Sequence, residues 1–163
     1  MKIGVIADTH ISDSAQKLPR QVYDCFKDCD LIIHAGDAVE ISVIQELGKL
    51  AETKAVWGNM DSLELKRCLP EKLVLNVGGK TIGVIHGEGP AFKVHDIVRA
   101  AFSAQVDIII FGHSHVPFNE KKGRTLLFNP GSATDKVFSQ YRSFGVIEIK
   151  GDEVRAEIIK IDD

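Results

Sequence analysis

The chain has 163 residues, of which 44% are hydrophobic and 26% charged, a balance close to ordinary globular usage and far from that of disordered or fibrous proteins. Lys plus Arg number 20 against 23 Asp plus Glu, so the formal net charge of −3 lacks the basic excess that nucleic acid or an anionic membrane attracts. No apolar run approaches the ~20 residues that span a bilayer, and the apolar stretch near Met1 is cut short by Asp8, too early for a secretory leader.

At ~100–150 residues per domain, one domain over 1–163 is expected. The cysteines, Cys25, Cys29 and Cys68, are few, odd in number and not at zinc-like spacing, which points to reduced thiols and a cytoplasmic protein. Cys25 and Cys29 are four apart and read as small packed residues on one helix face.

In chain order, residues 2–7 form a short apolar run, read as a buried strand. Residues 16–29 predict a helix with Val22, Cys25, Phe26 and Cys29 on one side. Residues 30–35 predict a second strand, 40–50 a second helix with Val43, Ile44, Leu47 and Leu50 at helical spacing, and 54–57 a third strand. This alternation implies right-handed βαβ units and parallel pairing. Residues 73–77 and 81–85 flank Gly78-Gly79, a strong hairpin signal. A helix over 94–104 and strands at 106–111, 125–128, 143–149 and 153–159 follow, the last two joined as a hairpin by Lys150-Gly151-Asp152. The expected architecture is a β-sandwich with largely parallel inner strands, covered by helices.

Five of these apolar runs end in polar residues with ligand chemistry. The first ends in Asp8-Thr9-His10, the second in Gly36-Asp37, the third in Gly58-Asn59-Met60-Asp61. The run 81–85 ends in His86-Gly87, and 106–111 in Gly112-His113-Ser114-His115. Ligands bind at the carboxyl ends of strands in α/β sheets. Asp8, His10, Asp37, Asn59, His86, His113 and His115 are seven O or N donors, and a mononuclear site needs only three or four. The set is enough for two metals if one carboxylate bridges. Two cations ~3.5–4 Å apart make a clamp for phosphoryl transfer. Imidazole and carboxylate without thiolate suit Mn, Fe, Co, Ni or Zn. In an extended stretch residues two apart point the same way, which would bring both members of Asp8-x-His10 and of His113-x-His115 to one site.

These motifs, in this order from residue 8 to 115, resemble the calcineurin-like metallophosphoesterases. The short length and Asn129-Pro130-Gly131-Ser132 look like the small bacterial and archaeal phosphodiesterase branch, which is similar to the retromer subunit Vps29. The resemblance implies a four-layer αββα sandwich of two mixed β-sheets flanked by helices. It implies two divalent ions, one on Asp8, His10 and His115, the other on Asn59, His86 and His113, with Asp37 bridging. It further implies a phosphodiesterase in which a hydroxide between the metals attacks phosphorus in line, while the metals, Asn59 and His113 stabilise the phosphate oxygens. Many family members carry a His after the Asn, placed to protonate the leaving oxygen. Met60 stands there in this chain and cannot donate a proton. Loss of a general acid is worth ~10²–10⁴-fold and falls hardest on poor leaving groups. Asp61, which would orient that His, is left to hold a loop or a water.

A small phosphodiester substrate is expected, and a homodimer by analogy with relatives of this size. A protein-binding scaffold on the same fold and a phosphomonoesterase are the alternatives. In a scaffold, degraded ligand positions are expected, and none is present. Singly, these residues have ordinary readings: Asp8 as a helix cap, Asp37 and Asn59 as turn formers, His86 as a loop residue. His34 reads as a core or supporting histidine, His95 as an exposed helix residue and Trp57 as core. Lys121, Lys122 and Arg124 read as a solvated hairpin tip. Asn129–Ser132 is either a plain turn or a segment close to the site.

Overall fold

A computed structural model describes residues 1–12, 16–102 and 105–162. The strands are β1 (Lys2–Ile6), β2 (Leu31–His34), β3 (Glu52–Ala55), β4 (Lys72–Val77), β5 (Lys80–Ile85), β6 (Ile108–Ile110), β7 (Phe118–Lys122), β8 (Thr125–Asn129), β9 (Ser143–Lys150) and β10 (Glu153–Lys160). The helices are α1 (Arg20–Phe26), α2 (Ile41–Leu47), α3 (Leu63–Cys68) and α4 (Val94–Ala100). Two five-stranded sheets form, in the orders β10-β9-β1-β2-β3 and β4-β5-β6-β8-β7. The pairs β1–β2, β2–β3, β5–β6 and β6–β8 are parallel, and β1–β9, β9–β10, β4–β5 and β7–β8 are antiparallel.

The layering follows from the period-two alternation of side chains along each strand. Ile3, Val5, Leu31, Ile33, Ile82, Val84, Ile108, Ile110 and Phe128 point into the space between the two sheets. The alternate residues Ile6 and Ile32 face outward, onto Val22 and Phe26 of α1, Val43 and Leu47 of α2, and Leu65 of α3. On the other side, Ile109 and Leu127 meet Val94 and Val98 of α4. The molecule is therefore the αββα sandwich expected. Gly4 is required in β1 because a Cβ there would lie 2.7 Å from the Phe26 ring.

The structure corrects several boundaries. The first helix starts at Arg20 rather than residue 16, because Pro19 sits at the cap in extended conformation (φ −55, ψ 141). The second helix ends at Leu47, with Gly48 as cap, rather than at residue 50. The third strand lies two residues earlier than expected, since the register pairs Leu31 with Glu52 and His34 with Ala55. The last two residues of the helix expected over 94–104 lie outside the described residues. α3 and β7 were not expected at all. Lys121, Lys122 and Arg124 do cap an exposed hairpin, of which β7 is the first arm. His95 is half-buried rather than exposed, stacked on Phe118 with ring centroids 4.0 Å apart. Cys25 and Cys29 are unpaired and pack at the α1 side of the core.

Candidate metal centre

Past the ends of β1 and β2 the chains stay tied: Asp8 N–H donates to Gly36 O (3.0 Å) and His10 N–H to Asp37 O (3.0 Å). In the second sheet Gly112 N–H donates to His86 O (3.0 Å). These bonds hold the carboxyl-end loops of both sheets at one rim, and all seven expected donors gather there. Two triads offer ligand atoms within 4.8 Å of one another: Asp8, His10 and His115, and Asp8, Asp37 and His86. Asp37 Oδ2 lies 3.6 Å from His10 Nε2 and 3.2 Å from His86 Nε2, between the two imidazoles. Asn59 Oδ1 is 3.2 Å from both His86 Nε2 and His113 Nδ1. Asp8 thus belongs to both triads, where the resemblance gave the shared position to Asp37 alone.

The convergence has a different cause from the one the spacing suggested. Neither Asp8-x-His10 nor His113-x-His115 is extended. Asp8, His10, Asp37, His113 and His115 all have positive φ, between 44° and 69°. Left-handed backbone costs a non-glycine residue ~1–2 kcal/mol, so five such residues in one site mark a conformation imposed by the surrounding fold.

Hydrogen bonds fix the ring nitrogens. His86 Nδ1–H donates to Ala35 O (2.8 Å), His113 Nε2–H to Gly89 O (2.9 Å) and His115 Nδ1–H to Asp135 Oδ2 (2.5 Å). In each ring the other nitrogen faces the hollow, and His115 Nε2 stands 3.1 Å from His10 Nε2. Tethering the outer N–H to an oxygen is how metal-binding imidazoles are oriented. Asp8 Oδ2 is fully buried and has no hydrogen-bond partner, an acceptor waiting for a cation. A Cβ on Gly112 would sit 2.7 Å from that oxygen, and one on Gly58 would collide with Asp37 Oδ1, so both glycines make room for the carboxylates. The donor set therefore fits divalent metal.

The electrostatics agree. Burial pushes the Asp8 carboxyl up to about 6, against the opposing pull of His86 and His115. Burial disfavours charge on His86 too, but the bond to Asp37 and the charges of Asp8 and Asp37 prevail and raise it to about 9. Burial also works against the Asp37 anion, yet His86, the Met60 N–H and His10 hold its carboxyl below the usual range. In the metal-free protein a proton on His86 supplies positive charge to this acidic hollow.

Other residues support the donors from behind. Asp61 is no part of the donor cluster. Its buried carboxylate accepts from Val39 N–H (2.6 Å), Gly58 N–H (2.7 Å) and Asp37 N–H (3.1 Å), which locks the β2 loop to the β3 loop. Met60 donates its N–H to Asp37 Oδ1 (2.8 Å) while its side chain is 59% exposed. Asn129–Ser132 does reach the site: Asn129 Nδ2 donates to Gly112 O and Ser132 Oγ to Asp8 O (2.8 and 2.7 Å). His34 is fully buried and supports rather than joins the cluster. Its Nδ1 accepts from Gly36 N–H (3.2 Å), so its Nε2–H donates to Thr9 Oγ1 (3.1 Å). Trp57 is half-buried, not core, and lines a cavity beside Asn59. Asp135 carried no sequence signal beyond its place after the Asn129–Ser132 turn. Burial alone would raise its carboxyl, but His115 and the Val137 and Phe138 N–H groups hold it low.

Residues 1–152 match the model of the calcineurin-like phosphoesterase superfamily domain. The chain is 42% identical to a probable metallophosphoesterase of Methanocaldococcus jannaschii over 82% of this chain and 69% of that protein. It is 28% identical to a phosphodiesterase of the same organism over 98% of this chain and all of that one. Among solved structures, a Thermotoga maritima protein superposes with TM-score 0.75 at 33% identity, covering 98% of this chain and 99% of that one. A single-substitution variant of Vps29 from Entamoeba histolytica superposes with TM-score 0.76 at 25% identity, covering 99% of this chain and 100% of that one. Among the described residues no helix is long and apolar enough to cross a membrane.

Proposed function

This chain belongs to the calcineurin-like phosphoesterase superfamily, and on that premise we propose that it is a phosphodiesterase that works with two divalent cations. The observation that carries the reading is the pair of overlapping triads, in which imidazoles tethered through their outer nitrogens turn the inner ones toward two buried carboxylates. The imidazole, carboxylate and amide donors suit Mn, Fe, Co, Ni or Zn. Bound cations supply Lewis acidity and an ionised water near neutral pH. Asp8, His10 and His115 would hold one cation, and His86, Asn59 and His113 the other, with Asp37 reaching both. Asn59 and His113 stand at the open edge of the cluster, where they would orient the non-bridging phosphate oxygens. Met60 has no proton to give the departing oxygen, so diesters of acidic alcohols are favoured. The three free cysteines fit a reducing, cytoplasmic setting.

The likeness to Vps29 favours a second reading, a protein-binding scaffold on the same fold. The complete donor set argues against it, since a scaffold has no need of five strained residues around two buried carboxylates.

Protein purified without chelator is expected to retain divalent metal by elemental analysis and to hydrolyse bis(p-nitrophenyl) phosphate when Mn or Ni is added. Asp37→Ala and His113→Ala should each lower kcat/KM by about 10³-fold, equivalent to about 4 kcal/mol of lost transition-state stabilisation. Full turnover in both variants, with the fold intact by circular dichroism, would overturn the mechanism. No turnover of any phosphoester by the metal-loaded protein would leave the scaffold.

A further inference from the structure

A cavity of about 510 Å³ opens beside the cluster, and Asn59 and His86 form part of its wall. Its volume is that of a small-molecule site. The rest of the wall includes the apolar Trp57, Ile85, Ile97 and Ala100, and also carries Glu71, Glu88 and Lys72. Nothing in the chemistry of phosphate cleavage calls for this space.

We propose that the cavity is a subsite for the nucleoside portion of the diester, which the phosphodiesterase reading above places at its mouth. A phosphoryl group held at the cluster would direct one of its two ester substituents past Asn59 and toward Trp57. The indole offers a flat face on which a base stacks, whatever its sequence identity. The two carboxylates offer acceptors to exocyclic amino groups, such as those of adenine. An anionic substituent is disfavoured, because Glu71 and Glu88 would repel it and the ammonium on the wall, that of Lys72, is committed elsewhere. Its ammonium donates to Ala101 O (3.0 Å) and lies 5.5 Å from the Phe102 ring. A cationic substituent such as choline is disfavoured for a different reason. The Lys66 ammonium already stands 5.7 Å from the Trp57 ring centroid and donates to Asn59 O (2.8 Å). A second cation at the same indole would meet like charge. Lys66 also couples the stacking surface to the backbone of a cluster residue, so a ring seated on Trp57 is seated in register with the phosphate.

Trp57 is the sole tryptophan of the chain, so the subsite reports on itself. Adenosine, which carries no phosphate and cannot be cleaved, is titrated into the protein as purified while tryptophan emission is followed. A saturable change is expected with adenosine and none with choline or inorganic phosphate. Ala100→Leu fills the cavity from an exposed helix position and leaves every cluster residue in place. It should weaken the adenosine response about tenfold, the scale of losing one base–aromatic stack, with metal content and melting temperature unchanged. No adenosine response, an equal response to choline, or an adenosine response untouched by Ala100→Leu would overturn the subsite. A protein that hydrolyses bis(p-nitrophenyl) phosphate yet ignores adenosine refutes the subsite alone. One that binds adenosine with Ala100→Leu sensitivity but hydrolyses no diester refutes the phosphodiesterase reading alone.

Discussion

At the scale of single residues, the histidine rings are set by what lies behind them. His115 is the clearest instance: its Nδ1–H meets Asp135 at 2.5 Å, and Asp135 is itself held by the N–H groups of Val137 (2.7 Å) and Phe138 (3.1 Å). The carboxylate fixes the tautomer and the orientation of the ring, and loss of such a partner typically costs 10–100-fold in metal affinity or activity. Asp135→Asn is therefore expected to weaken Mn retention by about 10–100-fold in equilibrium dialysis, with little change in melting temperature of the metal-free protein. Unaltered retention would show that His115 needs no carboxylate. Met60 poses the converse question, a side chain that does nothing where a proton is wanted. Met60→His should raise turnover of diesters with poor leaving groups by up to ~10²-fold and change bis(p-nitrophenyl) phosphate turnover little, because p-nitrophenolate needs no proton to depart. Equal gains on both substrates would count against a missing acid.

At the scale of elements, what could be read from the sequence was what burial writes into it. β1, β2, β5 and β6 carry apolar runs such as Ile3-Gly4-Val5-Ile6 and Ile108-Ile109-Ile110, and a donor follows the end of each strand within three residues: Asp8, Asp37, His86 and His113. α3 was illegible because it shows only one buried side chain, Leu65, between charged neighbours, and is started by the Ser62 cap (Leu65 N–H to Ser62 Oγ, 3.3 Å) rather than by a stripe. β7 was illegible because it is an exposed edge strand, Phe118-Asn119-Glu120-Lys121-Lys122, whose pairing is supplied by β8. The donors were visible in the sequence, but their left-handed geometry was not, since local sequence carries no sign that Asp8, Asp37 and His113 would be forced into it. Asp61 supplies part of that force by joining the loops after β2 and β3. Asp61→Ala would strand the buried N–H groups of Asp37 and Gly58 and the half-buried one of Val39, at about 1–3 kcal/mol for each that is left unsatisfied. Chemical denaturation should show a loss of at least about 2 kcal/mol, with a parallel fall in metal retention as the Asp37 loop is released. A loss under 1 kcal/mol would mean that these loops hold their shape without it.

At the scale of the whole molecule, the fold carries a built-in sensitivity to acid at the end of β2, near the middle of the first sheet. His34 is fully buried there, and burial, reinforced by His86 and His10 against the weaker pull of Asp37, lowers its imidazole to about 3. The folded protein keeps His34 neutral, with Nδ1 accepting from Gly36 N–H and Nε2–H donating to Thr9, so a proton on Nδ1 would break the first bond and bury a charge. An unfolded chain takes up that proton below ~6.5. Between ~6.5 and about 3 the unfolded state thus binds one more proton than the folded one. Stability from this group is complete above ~6.5 and declines as pH falls through the window, by up to about 1.4 kcal/mol per pH unit. His34→Gln removes the titration but keeps a side chain that can accept and donate. Denaturant melts of metal-free protein from pH 8 to 4 should therefore give a shallower acid decline for His34→Gln than for the wild type. Asp8, His86 and the other titrating groups are common to both proteins, so the difference in slope isolates this one histidine. Parallel slopes would mean that His34 is protonated in the folded state, and that its buried bonds to Thr9 and Gly36 do not govern the acid limit of the fold.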